Sequence, residues 1–214
     1  MVSAIFAALA IAALLVLSEY AWKRAKIQDE VARKFVHITS GTFIAFLPFW
    51  VSYDWIKLLA VGFVVVNIVN RFTNSFHAIH SVQRKSWGDI LFGVGVFAIA
   101  WFEPASWLFA ASILQVSLAD GLAAVAGVTY GKKHGSYYLL GQPKSFIGSL
   151  VFYGVSMMVI SITLFSYNYF ADPLSLGLVI ILLPLMLACV ENLAVYGTDN
   201  LFLPLATLWA LSLF

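Results

Sequence analysis

Read as apolar and polar positions, the chain is a succession of long apolar runs separated by short polar ones. A helix needs about 20 residues to cross the hydrocarbon core of a bilayer. Runs of that order predict spans at 2–18, 36–53, 56–70, 88–102, 104–128, 146–167, 174–194 and 201–214. The last has about 14 residues, which at ~1.5 Å each reach only ~21 Å. It is therefore expected to be partial or tilted, and seven or eight spans are expected in all. The polar stretches at 19–35, 71–87 and 129–145 are too short to hold a soluble domain. The pattern predicts an all-α, polytopic integral membrane protein, with residues 1–214 as a single membrane-embedded domain. The first run has its basic residues after it, the reverse of a secretory signal, so it is expected to be a retained helix.

Composition agrees with that picture. Of 214 residues, 62% are hydrophobic and only 10% charged, and mean hydropathy is +0.94. Soluble domains are nearer half apolar and about a quarter charged. An isolated soluble enzyme, a disordered chain and a nucleic-acid module are excluded, and a net charge of +2 implies no polyanionic partner. The lone cysteine, Cys189, permits no internal disulfide and is expected to be a buried, inert thiol.

The few charges are ordered. Lys23, Arg24, Lys26, Arg33 and Lys34 occupy one polar stretch, Arg71, Arg84 and Lys85 the second, and Lys132, Lys133 and Lys144 the third. Eleven of the twelve basic residues thus fall in alternate loops, leaving only Lys57 on the other side. The positive-inside rule predicts that these three loops are cytosolic and the N-terminus outside. Within 71–87, Phe72, Phe76, Ile79 and Val82 recur at helical spacing opposite His77, His80, Arg84 and Lys85. That spacing predicts a helix lying in the cytosolic interface.

Four acids interrupt or border the apolar runs: Asp89, Asp120, Glu191 and Asp199. Charged groups at membrane depth are costly and mark partners or functional cavities. By the charge topology all four, with His37, Lys144 and Asn200, lie toward the cytosolic ends of their helices, so one site is expected there. Asp120 is expected some two turns inside its helix, on a narrow face with Ala124, Gly127 and Gly131. A carboxylate there needs a metal or a basic partner. In GQPKSFIGSL, Pro143 suits the first turn of a helix, whose free N–H groups, with Lys144 and Ser145, favour phosphate. Arg33, His37, Ser40 and Gly41 share one face, and His37 reads as a base, a metal ligand or an interhelical hydrogen bonder. Asp89 reads either as a metal ligand or as a partner of its helix dipole. Asp199 or Thr198 reads as a helix cap, Asp199 also as a metal ligand. Asn67 and Asn70 read as interhelical glue. No GxxxxGK[ST], GxSxG or HExxH motif is present.

The segments RKFVH (33–37), RKSWGDILFGVG (84–95), ADGLAAVAGVTYGKKHG (119–135), KSFIGSL (144–150) and ENLAVYGTDN (191–200) together resemble the CTP-dependent polyprenol kinase family. That family includes dolichol, phytol and farnesol kinases and a CTP-using diacylglycerol kinase. The 119–150 block is also similar to one in phosphatidate cytidylyltransferases. The resemblance implies transfer of the CTP γ-phosphate to the hydroxyl of a membrane lipid alcohol, with Mg²⁺, at a cytosolic-side site. Asp120, His37 and Lys144 are then the candidate catalytic residues. Asp120, Glu191, Asp89 and Asp199 are candidate metal ligands. Arg33, Lys34, Gly127, Gly131, Lys132, Lys133, Lys144, Ser145, Gly148 and Asn200 are candidates for the nucleotide and its phosphates. The competing readings are a CDP-lipid-forming cytidylyltransferase, a small ion-coupled transporter and a non-catalytic scaffold. Near absence of polar residues in the outer halves of the spans counts against the transporter.

Overall fold

The computed structural model describes residues 2–25, 29–73, 86–166 and 172–213. It is a helical bundle. Helix α1 (Val2–Ala25) leads to α2 (Asp29–Ala45), a short 3₁₀ turn (Leu47–Phe49) and α3 (Tyr53–Thr73). Then come α4 (Gly88–Trp101), α5 (Ser106–Leu114), a π-helical segment (Gln115–Ala119) and α6 (Asp120–His134). A hairpin of β1 (Ser136–Leu139) and β2 (Gln142–Ser145) precedes α7 (Phe146–Ser166), α8 (Pro173–Leu193) and α9 (Asp199–Leu211).

Four helical stretches, Tyr53–Phe72, Ser106–Gly131, Phe146–Ser166 and Pro173–Leu193, are long and apolar enough to cross a membrane. Val2–Leu17 and Gly88–Trp101 are shorter apolar helices. The chain is thus a mostly helical membrane protein. The rod formed by α5, the π segment and α6 is its axis: 67% of its apolar window is buried, against 22–39% for the other three. Phe109, Ile113 and Val116 of the rod and Phe152 packed beside it are fully enclosed. Exposed Leu, Val, Ile and Phe side chains cover the outside, as expected where the surrounding solvent is lipid.

Three expectations are corrected. The second helix runs from 29 to 45 rather than 36 to 53. Pro48, in the 3₁₀ turn, cannot continue an α-helix and shapes its end. Residues 129–145 are not one loop: α6 continues to His134, and a two-stranded hairpin follows within the otherwise helical fold. The hairpin pairs Leu139 with Gln142 around Leu140 and Gly141, both at positive φ, the backbone of a tight two-residue turn. Pro143 therefore sits in a strand, and α7 starts at Phe146. Cys189, expected inside, is exposed on α8. Of the amphipathic reading of 71–87, the stretch 74–85, with His77, His80, Arg84 and Lys85, lies outside the described residues.

Candidate active site

The site is built by close helix approach. A Cβ on Gly41 of α2 would stand 2.4 Å from Ser117 Cβ, and one on Gly121 of α6 would stand 2.3 Å from Ile38 Cγ1. Lacking those carbons, α2 and the axial rod run nearly in contact. That contact brings Lys34 to Asp120 and His37 to Val116. The Lys34 ammonium donates to Asp120 Oδ2 at 2.6 Å, with both side chains buried. His37 Nε2 donates to the carbonyl of Val116 at 3.1 Å. Val116 lies in the π segment, where the loosened ladder makes a carbonyl available to a side chain. Because that carbonyl only accepts, the bond puts a proton on Nε2, and in the neutral ring Nδ1 then carries the lone pair. The ring stands edge-on to Phe92, centroids 4.9 Å apart.

The hairpin supplies the opposite wall. Lys144, on β2, donates to Glu191 Oε1 at 2.5 Å and to the Glu191 carbonyl at 2.9 Å. Ser145 caps α7, its Oγ accepting the Gly148 N–H at 3.0 Å. It rests against Gly127 and Gly131 of α6, where a Cβ would come within 2.9 Å of it. The small face of α6 is thus a seat for the hairpin. Tyr137 of β1 reaches Asn192 Oδ1 at 2.5 Å and Ser149 Oγ at 2.9 Å, tying hairpin to α7 and α8.

A third wall comes from α4 and the turn before α9. The Trp87 N–H donates to the Tyr196 carbonyl at 2.9 Å. Asp89 accepts from Arg71 Nη2 at 2.7 Å, and that guanidinium also bonds the Ser86 carbonyl and covers the Trp87 ring. Asp199 opens α9, where the dipole favours its charge. It accepts from the Asn200 backbone N–H at 3.0 Å and Nδ2 at 2.9 Å. The Thr198 hydroxyl bonds back to Val195 and caps nothing.

These walls enclose a cavity of about 850 Å³. All the candidate residues line it except Lys132, whose side chain is outside the described set, and Lys133, which is exposed. Asp120 lies deeper than expected, since α6 continues fourteen residues beyond it. Asp120, Glu191 and Asp199 interact electrostatically with one another and with Lys144. Among the described residues, no three His, Cys, Asp or Glu side chains form a ready metal cage. Lys34 and Lys144 are each held by a carboxylate instead. The Arg71–Asp89 clamp, the Tyr137–Ser149–Asn192 bridge and the π segment were not foreseen. Ser149 and Asn192 carry a faint signal as polar positions in apolar helices; Tyr137 and the π segment carry none.

No family model and no solved structure matches the chain. It is 28% identical over 189 residues to a phytol kinase of Synechocystis sp., a match covering 83% of this chain and 76% of that relative. The chain is thus similar over most of its length to a phytol kinase, in line with the resemblance carried by its motifs.

Proposed function

We propose that this protein is a membrane lipid-alcohol kinase that moves the γ-phosphoryl group of CTP to an isoprenoid alcohol. The observation that carries the reading is the pairing of two lysines with two carboxylates, Lys34–Asp120 and Lys144–Glu191, on facing walls of one cavity inside a membrane bundle. Phosphoryl transfer needs alignment and charge neutralisation more than covalent help. Lysines parked on carboxylates are charges held in reserve for phosphate oxygens. When the nucleotide enters, Lys34 and Lys144 turn to its phosphates and release Asp120 and Glu191.

The donor set suits Mg²⁺, which is commonly bound by one or two carboxylates plus phosphate oxygens and water rather than by a protein cage. Asp120, with Glu191 or Asp199, would hold it. Bound there, the ion neutralises charge on the phosphates. Asp89, already clamped by Arg71, serves the wall of the site. The alcohol oxygen attacks the γ-phosphorus, the bond from that phosphorus to the β,γ-bridging oxygen breaks, and CDP leaves. The hydroxyl proton passes to His37 Nδ1, whose ring is held by Val116. The basic loops orient the cavity to the cytosol, where the nucleotide is found.

The test is purified protein with Mg²⁺, γ-labelled CTP or ATP, and phytol, geranylgeraniol or dolichol. Label in the lipid and release of CDP support the reading. Pyrophosphate release with a CDP-lipid product would establish the cytidylyltransferase instead. No labelled lipid with either nucleotide overturns the kinase.

A further inference from the structure

A second cavity, about 400 Å³, lies between α1, α3 and α4 and is lined almost wholly by apolar side chains such as Ile11, Leu59, Val66 and Val96. It shares Leu15, Phe63, Asn67 and Phe92 with the polar cavity, so the two adjoin across these side chains. Its polar lining residue is Asn67, which is only 1% exposed. The Asn67 Nδ2 donates to the Phe63 carbonyl at 2.8 Å. That carbonyl only accepts, so the amide orientation is fixed and the remaining atom is an oxygen. Among the described residues this buried Oδ1 has no hydrogen-bond donor. An orphaned acceptor at membrane depth costs free energy until a donor arrives.

We infer that this groove holds the hydrocarbon tail of a single-chain lipid alcohol, with its hydroxyl donating to Asn67 Oδ1. The inference rests on the kinase reading and assigns its acceptor site. The chemistry of the junction selects the occupant. The orphan atom requires an O–H or N–H donor. The groove beyond it offers no charge, so the ligand is neutral and its remainder apolar. A carboxylate has no proton to give. A hydroxyl at Asn67 stands at the border with the cavity of Lys34, His37 and Asp120, since Asn67 lines both spaces. His37 packs against Phe92, which lines both spaces. In a loose transition state the hydroxyl keeps its proton late, so Asn67 positions the nucleophile, the oxygen's lone pair facing the phosphate, until the proton leaves for His37 Nδ1. Asn67 is a specificity and positioning residue, and α1 is one wall of a lateral entrance from the lipid.

Two variants and one probe test this. Gly62 lines the groove with open space where a Cβ would go, so Gly62→Phe fills the groove without disturbing the backbone. Asn67→Leu removes the acceptor at similar volume. Each is expected to raise the KM for a long-chain alcohol about tenfold or more and leave the KM for nucleotide unchanged. Leu182→Phe, on the outer face of α8, is the control and changes neither. Independently of turnover, a prenyl alcohol bearing a diazirine on its tail is expected to cross-link within residues 8–16 and 58–66, and Gly62→Phe to abolish that labelling. Labelling on α7 and α8 instead, or unchanged alcohol KM in both variants, overturns the groove. Labelling in the groove by a wild-type protein that phosphorylates no alcohol supports the groove and overturns the kinase reading.

Discussion

Lys34 Nζ and Asp120 Oδ2, 86 residues apart in the chain, meet at 2.6 Å in the interior of the bundle. Neither charge is tolerable there alone. Removing one partner of a buried pair costs about 3–5 kcal/mol, whereas replacing both by neutral groups is often harmless. Lys34→Met and Asp120→Asn are each expected to lower the melting temperature in detergent, and the double variant to regain most of it. Phosphate transfer is expected to be lost in all three. Restored activity in the double variant would assign the pair to structure alone.

Lys144 is held by both the carboxylate and the carbonyl of Glu191, so it is already positioned in the cavity before it turns to the nucleotide. Lys144→Ala is expected to lower kcat/KM for the nucleotide about 100-fold, the scale for losing one preorganised donor. Lys144→Arg is expected to recover part of that loss, since charge is kept while shape changes. Steady-state kinetics at saturating alcohol reads the effect.

A methyl on Gly41 collides with Ser117. Gly41→Ala is expected to push α2 off the axial rod, weaken the His37–Val116 bond and reduce both stability and kcat. Ser117→Gly removes the opposing carbon, so the pair Gly41→Ala with Ser117→Gly is expected to recover stability and part of the rate. Thermal unfolding and turnover of the single and double variants decide it.

Tyr137 bonds both Asn192 and Ser149 across the hairpin. Tyr137→Phe is expected to cost about 1 kcal/mol and to raise the nucleotide KM several-fold with little change in kcat. Hydrogen exchange at 136–145 is expected to quicken in the variant.

The hairpin tip also reports orientation. In a Cys189→Ser background, Leu140→Cys carries an exposed thiol. An impermeant maleimide is expected to label it only from the cytosolic side. Labelling only from outside would reverse the topology.

What the sequence disclosed, and what it did not, follows from the forces involved. The long apolar helices were legible because burial in lipid demands unbroken runs, and α7 and α8 begin and end within a residue or so of the expected limits. The start of α2 was not, because Arg33 and Lys34 look like loop residues until Asp120 is seen to neutralise Lys34. The grouping of acids and bases on one side was readable from the scarcity of charge. Their pairing was not, since it depends on helices meeting at Gly41 and Gly121. The hairpin was hidden because Pro143 reads equally well as a helix start. In the sequence Asn67 reads as glue, and only the three-dimensional surroundings show that among the described residues its Oδ1 has no donor.

The π segment at 115–119 has a consequence for how this chain can change. A wider turn amounts to one additional residue in the rod, and each residue turns a helix by about 100°. Everything after it, Asp120 and the seat of the hairpin included, owes its compass bearing to that insertion. Substitutions nearby alter size or polarity. Deleting a single residue between 115 and 119 would swing Asp120, and everything after it, by about 100° away from Lys34 while changing the identity of no other residue. At this place the length of the chain is held more tightly than its spelling.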